Sequence, residues 1–372
     1  MNQRLCLGAI VLLSCAAPAP ACSVPVFRYA LERWSPDAYE AVIFHRGPLT
    51  AADRSLVKQL DNAGLGSGKR AILDVATVDL DKETDAAMTE LWDAQTKAAL
   101  PWLVLRMPRS VKKQPQVWAG KLSQGALDAV LQSPVRKEIG QRILKGESAV
   151  WVLLECGDRE QDDAAAKLLG AELKKLQTTL KLPELKANDP SDKIEVGPQA
   201  PELKISFSLI RLSRSNPAEQ ALVQMLLHVE DDLATLAGPM AFPVFGRGRA
   251  LEPMVNKGIT DENIKDMCTF IIGKCGCEVK RLNPGTDLLM ATDWERIFER
   301  ASPADTPKPA TDDPAPPATQ PETIAAPANP SSEETADPAN STALPLLFGV
   351  LLGGLAGTVA LTFALGKRKR GD

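Results

Sequence analysis

The chain has 372 residues, and its 47 acidic residues outnumber its 43 basic residues, which gives a net charge of −4. This balance provides no basic surface for nucleic acid, so we expect no nucleic-acid partner. The only two histidines, His45 and His228, lie in none of the common catalytic or metal-binding motifs. We therefore expect structural roles for both, and the sequence predicts no catalytic residue and no cofactor.

Residues 1–21 have the pattern of a secretory signal peptide. Arg4 supplies a positive charge, Leu5 to Leu13 form an apolar stretch, and Ala19-Pro20-Ala21 matches the cleavage pattern. We expect cleavage before Cys22 and export of the following domains. An alternative is a lipoprotein box that ends at Cys15, with the lipid attached to that cysteine.

The first α/β domain is predicted to span residues 22–146. Apolar runs and helical spacing alternate along it, which is typical of a layered α/β architecture. The opening segment, 22–34, is expected to form a helix that packs on this domain. The predicted strands are 41–45, 71–80, 100–105 and the region of 118–120, and the predicted helices are 50–62, 85–95 and 122–131.

The order of these elements resembles the thioredoxin fold between residues 39 and 133. The third strand is entered through Pro101, and a closing helix follows Leu122-Ser123. In that family the proline before the third strand is cis and lies beside a pair of active-site cysteines, so the resemblance makes Pro101 a candidate cis proline. The segment His45 to Leu49 contains no cysteine, and the resemblance therefore implies the fold without the disulfide oxidoreductase activity.

A second domain, residues 147–300, shows the same order of elements and is interpreted as a degenerate tandem copy. Pro243 precedes its third strand and is the second candidate cis proline. Cys156 lies where the family has its cysteine pair, with Arg159 in place of the second cysteine. It is interpreted as a remnant, a disulfide partner or a monothiol site. The predicted strands are 149–156, 205–212 and 242–245, and the predicted helices are 161–180, 217–237 and 261–272.

Five cysteines remain after signal cleavage, and three of them form a cluster at the end of the last predicted helix. An oxidising compartment favours disulfides, but an odd number leaves one thiol over. We expect one structural disulfide within the cluster. The alternatives are a metal site and redox exchange, although the spacing matches no standard zinc motif. The five thiol or disulfide candidates are Cys22, Cys156, Cys268, Cys275 and Cys277.

Two glycine-rich segments resemble ligand-binding loops. The segment 64–70 departs from the phosphate-loop motif because Arg70 replaces the serine or threonine, so glycines that end a helix explain it better. The segment 246–249 is either a turn between strands or an anion site formed by the guanidinium groups of Arg247 and Arg249.

Residues 301–342 are rich in proline and poor in large apolar residues, which predicts a disordered linker. We interpret it as a spacer or, alternatively, as a docking site for a partner. The next 24 residues, 343–366, are uncharged and long enough to cross a bilayer, and residues 367–372 form a basic tail.

The basic tail predicts a cytoplasmic C-terminus and a non-cytoplasmic (periplasmic) location for the domains. Three glycines of the membrane helix share one face, which favours close packing against another helix or self-association. The stop-transfer residues are Lys367, Arg368, Lys369 and Arg370, and the glycines are Gly349, Gly353 and Gly357.

These features predict a single-pass protein of the bacterial cytoplasmic membrane with two tandem thioredoxin-like domains outside the cytoplasm. The expected function is non-catalytic binding or scaffolding of an envelope protein or an integral membrane partner. The alternative is a thiol-redox or metal-handling protein that uses Cys268, Cys275 and Cys277.

Overall fold

The computed structural model describes residues 23–63, 72–185, 192, 194, 200–274 and 280–294. Within these residues the protein is a mixed α/β structure with two sheets, which confirms the predicted fold class at this level. No helix in these residues is both long and apolar enough to cross a membrane, and the segment 343–366 lies outside them.

The first sheet has four strands in the order β2-β1-β3-β4, with β1 parallel to β2 and antiparallel to β3. The central strand β1 is buried along six of its seven residues, because neighbouring strands flank it and helices cover both faces. The elements of this half are β1 (Tyr39–His45), α2 (Ala51–Ala63), β2 (Leu73–Asp79), α3 (Ala86–Asp93), β3 (Trp102–Arg106), β4 (Gln116–Lys121), α4 (Gln124–Leu131) and α5 (Pro134–Leu144), preceded by α1 (Val26–Arg33).

The second sheet repeats this order with β6-β5-β7-β8 and adds β10 beside β8 and β9 beside β7. Again the central strand β5 is parallel to its next strand, β6, and antiparallel to β7. Its elements are β5 (Ala149–Glu155), α6 (Arg159–Thr179), β6 (Phe207–Ser213), α7 (Gln220–Leu227), β7 (Met240–Phe245), β8 (Arg249–Ala250), β9 (Met254–Val255), α8 (Asp261–Ile272) and β10 (Thr286–Asp287).

One hydrophobic core joins the two sheets. Alternate residues of β1, such as Ile43, and of β5, such as Val152, belong to the same buried cluster, together with residues of α2, α4, α5 and α7. The opposite face of β1 packs against a smaller apolar cluster that includes Trp92 of α3. The opposite face of β5 is covered by α1, α6 and α8. Successive side chains of a strand point to opposite faces of the sheet, so each sheet is packed on both faces and the structure consists of alternating layers of helices and sheets.

Side-chain caps fix where several of these helices begin. Ser123, predicted as the cap of α4, accepts a hydrogen bond from the Ala126 amide at 3.2 Å. Thr260 caps α8 in the same way, with 3.2 Å to the Asn263 amide. Each of these oxygens satisfies an amide that has no partner inside its own helix.

Three elements differ from the sequence-based expectations. Helix α1 packs mainly on the second sheet, not on the first, because most of its apolar residues join the cluster of α6 and α8. Helix α5 begins at Pro134, directly after its cap Ser133, and was not predicted. Helix α7 ends at Leu227 instead of continuing to residue 237, since the acidic residues 230–232 would oppose the negative end of its dipole.

Candidate functional site

The turn after β1 is the segment in which the sequence resemblance predicted a missing pair of cysteines. His45 forms a 2.8 Å hydrogen bond through Nδ1 to the carbonyl of Gly47, and the Gly47 amide donates to Asp79 Oδ1 at 3.2 Å. The ammonium group of Lys82 lies 3.1 Å from Asp79 and lowers the pKa of its carboxyl group. These contacts close a compact polar turn, in which the imidazole of His45 is hydrogen-bonded to the backbone.

The two candidate cis prolines differ in the structure. The Leu100–Pro101 peptide bond is cis, whereas Pro243 is not among the cis residues of the described chain. Pro243 lies inside β7 instead of before it, in the interval between the residues that pair with β9 and those that pair with β8. A proline is tolerated there because its missing amide is not required by either ladder.

Cys156 follows β5 and lies at the beginning of the turn into α6. Its amide and that of Gly157 donate to the carboxylate of Asp162, at 2.9 and 3.0 Å. Its thiol is free. Burial raises the pKa of this thiol, and Asp162 raises it further, although a backbone hydrogen bond from Asp158 acts in the opposite direction. The acidic surroundings therefore disfavour the thiolate that exchange chemistry requires.

Cys268 lies on the inner face of α8, fully buried among residues of α1 and α6, and its thiol is also free. Burial, followed by the charge of Glu172, raises the pKa of the thiol to about 12. A thiolate is the form that binds metals and attacks disulfides, so the described structure gives Cys268 a packing role. No group of three potential metal ligands occurs among the described residues.

Several predicted site residues lie outside the described part of the chain. These are Cys22, Cys275 and Cys277, the three glycines of the expected membrane helix, Gly349, Gly353 and Gly357, and the stop-transfer residues Lys367, Arg368, Lys369 and Arg370.

The two arginines of the segment 246–249 have partners within the protein. Arg247 donates through Nε to the carbonyl of Leu31 at 2.8 Å, so it satisfies the C-terminal end of α1. Arg249 donates to the carbonyls of Asn283 and Pro284, both at 2.8 Å. The segment is therefore the turn from β7 to β8, the first of the two interpretations, and its guanidinium groups bind other parts of the chain.

An ionic cluster, consisting of Asp37, Arg249, Lys280 and Asp287, joins the linker before β1 to the end of the second sheet. Lys280 lies 2.8 Å from Asp37 and also contacts Asp287, while Arg249 lies 3.1 Å from Asp287. Burial tends to raise the pKa of Asp37, but hydrogen bonds from Lys280 and Ser110 outweigh it and lower that pKa. Sequence patterns gave no signal of this cluster, because Asp37 and Lys280 are 243 positions apart.

A groove, which we call the edge groove, lies between α2 and β2. It has a volume of about 480 Å³ and is lined by Leu49, Val57 and Val75, with Arg54, Lys58 and Asp61 beside them. Strand β2 is the outermost strand of its sheet, and no other described strand pairs with its outer side. The edge groove therefore combines apolar side chains, charges and an open strand edge.

No family model and no curated protein matches the chain.

Proposed function

We propose that this chain is a membrane-anchored, extracytoplasmic protein of the bacterial envelope that binds a partner polypeptide and does not catalyse a reaction. Its body would consist of two tandem, degenerate thioredoxin-like domains. The repeated strand order, β2-β1-β3-β4 and β6-β5-β7-β8, supports this interpretation, as does the helix that follows each set of four strands.

The proposed anchoring depends on the sequence outside the described residues. The uncharged run 343–366 and the following basic residues support a single membrane helix with a cytoplasmic C-terminus. The signal-peptide pattern of residues 1–21 supports the periplasmic location. The proline-rich residues 301–342 would hold the body away from the bilayer, and the glycine face of the helix would allow self-association or contact with an integral membrane protein.

The observation that carries the proposal is the edge groove beside β2. An extended peptide can add a strand to an open sheet edge, where backbone hydrogen bonds supply affinity and side-chain pockets supply specificity. Val75 and Thr77 of β2 line the groove opposite α2, and Thr77 is exposed. Arg54 and Lys58 outnumber Asp61 in this groove, so the segment that it suits best is extended, partly apolar and acidic.

The alternative role in thiol redox or metal handling has weaker support. It requires a reactive thiolate, but the pKa values of both described thiols, Cys156 and Cys268, are raised. Cys268 in addition has no exposed surface through which a substrate or a metal ion would reach it.

Site-specific photocrosslinking in the full-length, membrane-bound protein tests the proposal. The photoreactive residue p-benzoylphenylalanine is placed at Thr77, and the matched control carries it at Gln124, an exposed residue of α4. We expect a crosslinked adduct at Thr77 and none at Gln124. The double variant Arg54→Glu and Lys58→Glu should abolish the adduct, since it reverses the charge of the groove.

The mass of the adduct identifies the partner, and twice the mass of the chain would indicate self-association. Absence of an adduct at Thr77, or equal adducts at both positions, would contradict binding at the edge groove.

A further inference from the structure

A second cavity, which we call the junction cleft, lies where the two halves of the structure meet. It has a volume of about 600 Å³, which is within the usual range for small-molecule sites. Its walls come from the linker before β1, the loop between β3 and β4, the turn after α7 and the segment around β10. Interfaces between two domains are common locations for ligand sites.

Three members of the ionic cluster, Asp37, Arg249 and Lys280, form the floor of this cleft. The fourth, Asp287, pairs with both cations, so the charges of the cluster balance. Two cations, Arg249 and Lys280, face two carboxylates, those of Asp37 and Asp287. Asp37 also accepts a hydrogen bond from Ser110 at 2.7 Å, and its amide donates to Asp287 at 2.8 Å. The cluster is therefore neutral, and we attribute the selectivity of the cleft to the groups above it.

The rim of the cleft carries a surplus of positive charge. Lys112 and Arg281 line it from two different segments, and both are exposed. Neither takes part in an ion pair or a side-chain hydrogen bond within the described residues. Asp231 is the one acidic residue of the rim, so the rim retains one net positive charge although the whole chain is negative.

A histidine completes the set of polar groups. His228 contacts the Gln224 carbonyl through Nδ1 at 2.7 Å. Because a carbonyl oxygen only accepts, Nδ1 carries the proton in the neutral ring, and Nε2 remains an acceptor. Beside a bound anion, His228 and Asp231 would accept hydrogen bonds from donor groups of the same ligand.

We propose that the junction cleft binds a small molecule or a chain end that carries one carboxylate group, held by Lys112 and Arg281, together with amide or amine donors. A guanidinium group matches the two oxygens of a carboxylate in a planar, bidentate geometry. One surplus charge suits a monoanion better than a phosphate group, which carries a charge of about −1.5 to −2. This site is separate from the edge groove, and its test is independent of the proposed partner.

Ligand-observed saturation-transfer NMR on the full-length protein in detergent tests this inference. The probe is N-acetyl-glycyl-alanine with a free carboxylate, and its C-terminal amide serves as the matched ligand control. We expect saturation transfer to the acid and at least about tenfold weaker binding of the amide, since the amide lacks the charged hydrogen bonds. Inorganic phosphate should compete poorly.

The double variant Lys112→Ala and Arg281→Ala should bind the acid at least about tenfold more weakly, because both charged donors are lost. The matched control is the double variant Lys121→Ala and Arg159→Ala, which makes the same change of charge at exposed positions outside the cleft. Equal binding of acid and amide, stronger binding of phosphate than of the acid, no saturation transfer, or equal affinities of the two double variants would overturn the proposal.

Discussion

The packing of α1 on the second sheet can be tested at Gly246, which lies in the turn between β7 and β8. Its φ is +59°, and a Cβ atom there would lie 2.7 Å from Cβ of Ala30 and 3.3 Å from the backbone carbon of Ala30. The Cβ atom of Ala30 is fixed by the helix backbone, so no change of side-chain rotamer can relieve this contact. The variant Gly246→Ala therefore forces α1 to shift.

Two contributions lower the free energy of unfolding in this variant. The left-handed backbone costs about 1–2 kcal/mol for a residue with a Cβ atom. Overpacking against α1 costs about 1–3 kcal/mol more. The control Gly157→Ala carries only the backbone cost, since φ is +94° at Gly157 and no heavy atom lies within 4 Å of the added Cβ. We expect Gly246→Ala to lower the free energy of unfolding by at least about 1 kcal/mol more than this control.

Urea unfolding of the full-length protein, followed by tryptophan fluorescence, measures this difference. Trp34 reports on the region directly, since its ring lies 6.5 Å from that of Phe245. Faster hydrogen exchange at the Val26 amide, which donates to the Gly273 carbonyl at 3.0 Å, should accompany the shift of α1. Equal destabilisation by the two glycine substitutions, with unchanged exchange at Val26, would refute the packing of α1 on the second sheet.

Two further predictions concern the ionic cluster and the buried thiol. Asp287→Ala leaves Arg249 and Lys280 without their shared carboxylate at side-chain exposures of 7% and 17%, so urea unfolding should show a loss of about 3–5 kcal/mol. The exposed pair of Arg46 and Asp81 provides the control, because Asp81→Ala should lower the free energy of unfolding by less than about 1 kcal/mol. Similar losses of stability in both variants would contradict the role of the cluster. Mass spectrometry after iodoacetamide treatment at pH 8 should find Cys268 unmodified in the native protein and alkylated after unfolding. The reason is that burial raises the pKa of its thiol to about 12. Rapid alkylation of Cys268 in the native protein would instead support the thiol-redox alternative.

The elements that the sequence predicts well have local causes. Helix α8 runs from Asp261 to Ile272, as predicted, because Thr260 caps its start and apolar residues recur at helical spacing. Strand β5 is a short, continuous apolar run, which is typical of a strand buried on both faces. Helix α5 had its own local signal, Ser133 followed by Pro134, but its apolar positions are too few to stand out.

The features that the sequence does not reveal depend on long-range contacts. The apolar face of α1 is evident in the sequence, but nothing in it indicates which of two similar sheets covers that face. The ionic cluster likewise joins Asp37 to Asp287, which are 250 positions apart. Sequence periodicity describes each element by itself, so it predicts a buried face without identifying the partner of that face.

The position of α1 also affects when this helix can reach its native packing during synthesis. The contact between Leu31 and Arg247 spans 216 positions, so the ribosome makes α1 long before the residues that cover it. At the usual speed of synthesis this interval lasts roughly 10–40 s, during which the apolar side of α1 has no native partner. Residues 23–146 expressed alone would remain in that state permanently. The first and last α-helices of the described chain can therefore bury each other's apolar faces only after nearly all of the second sheet has been made.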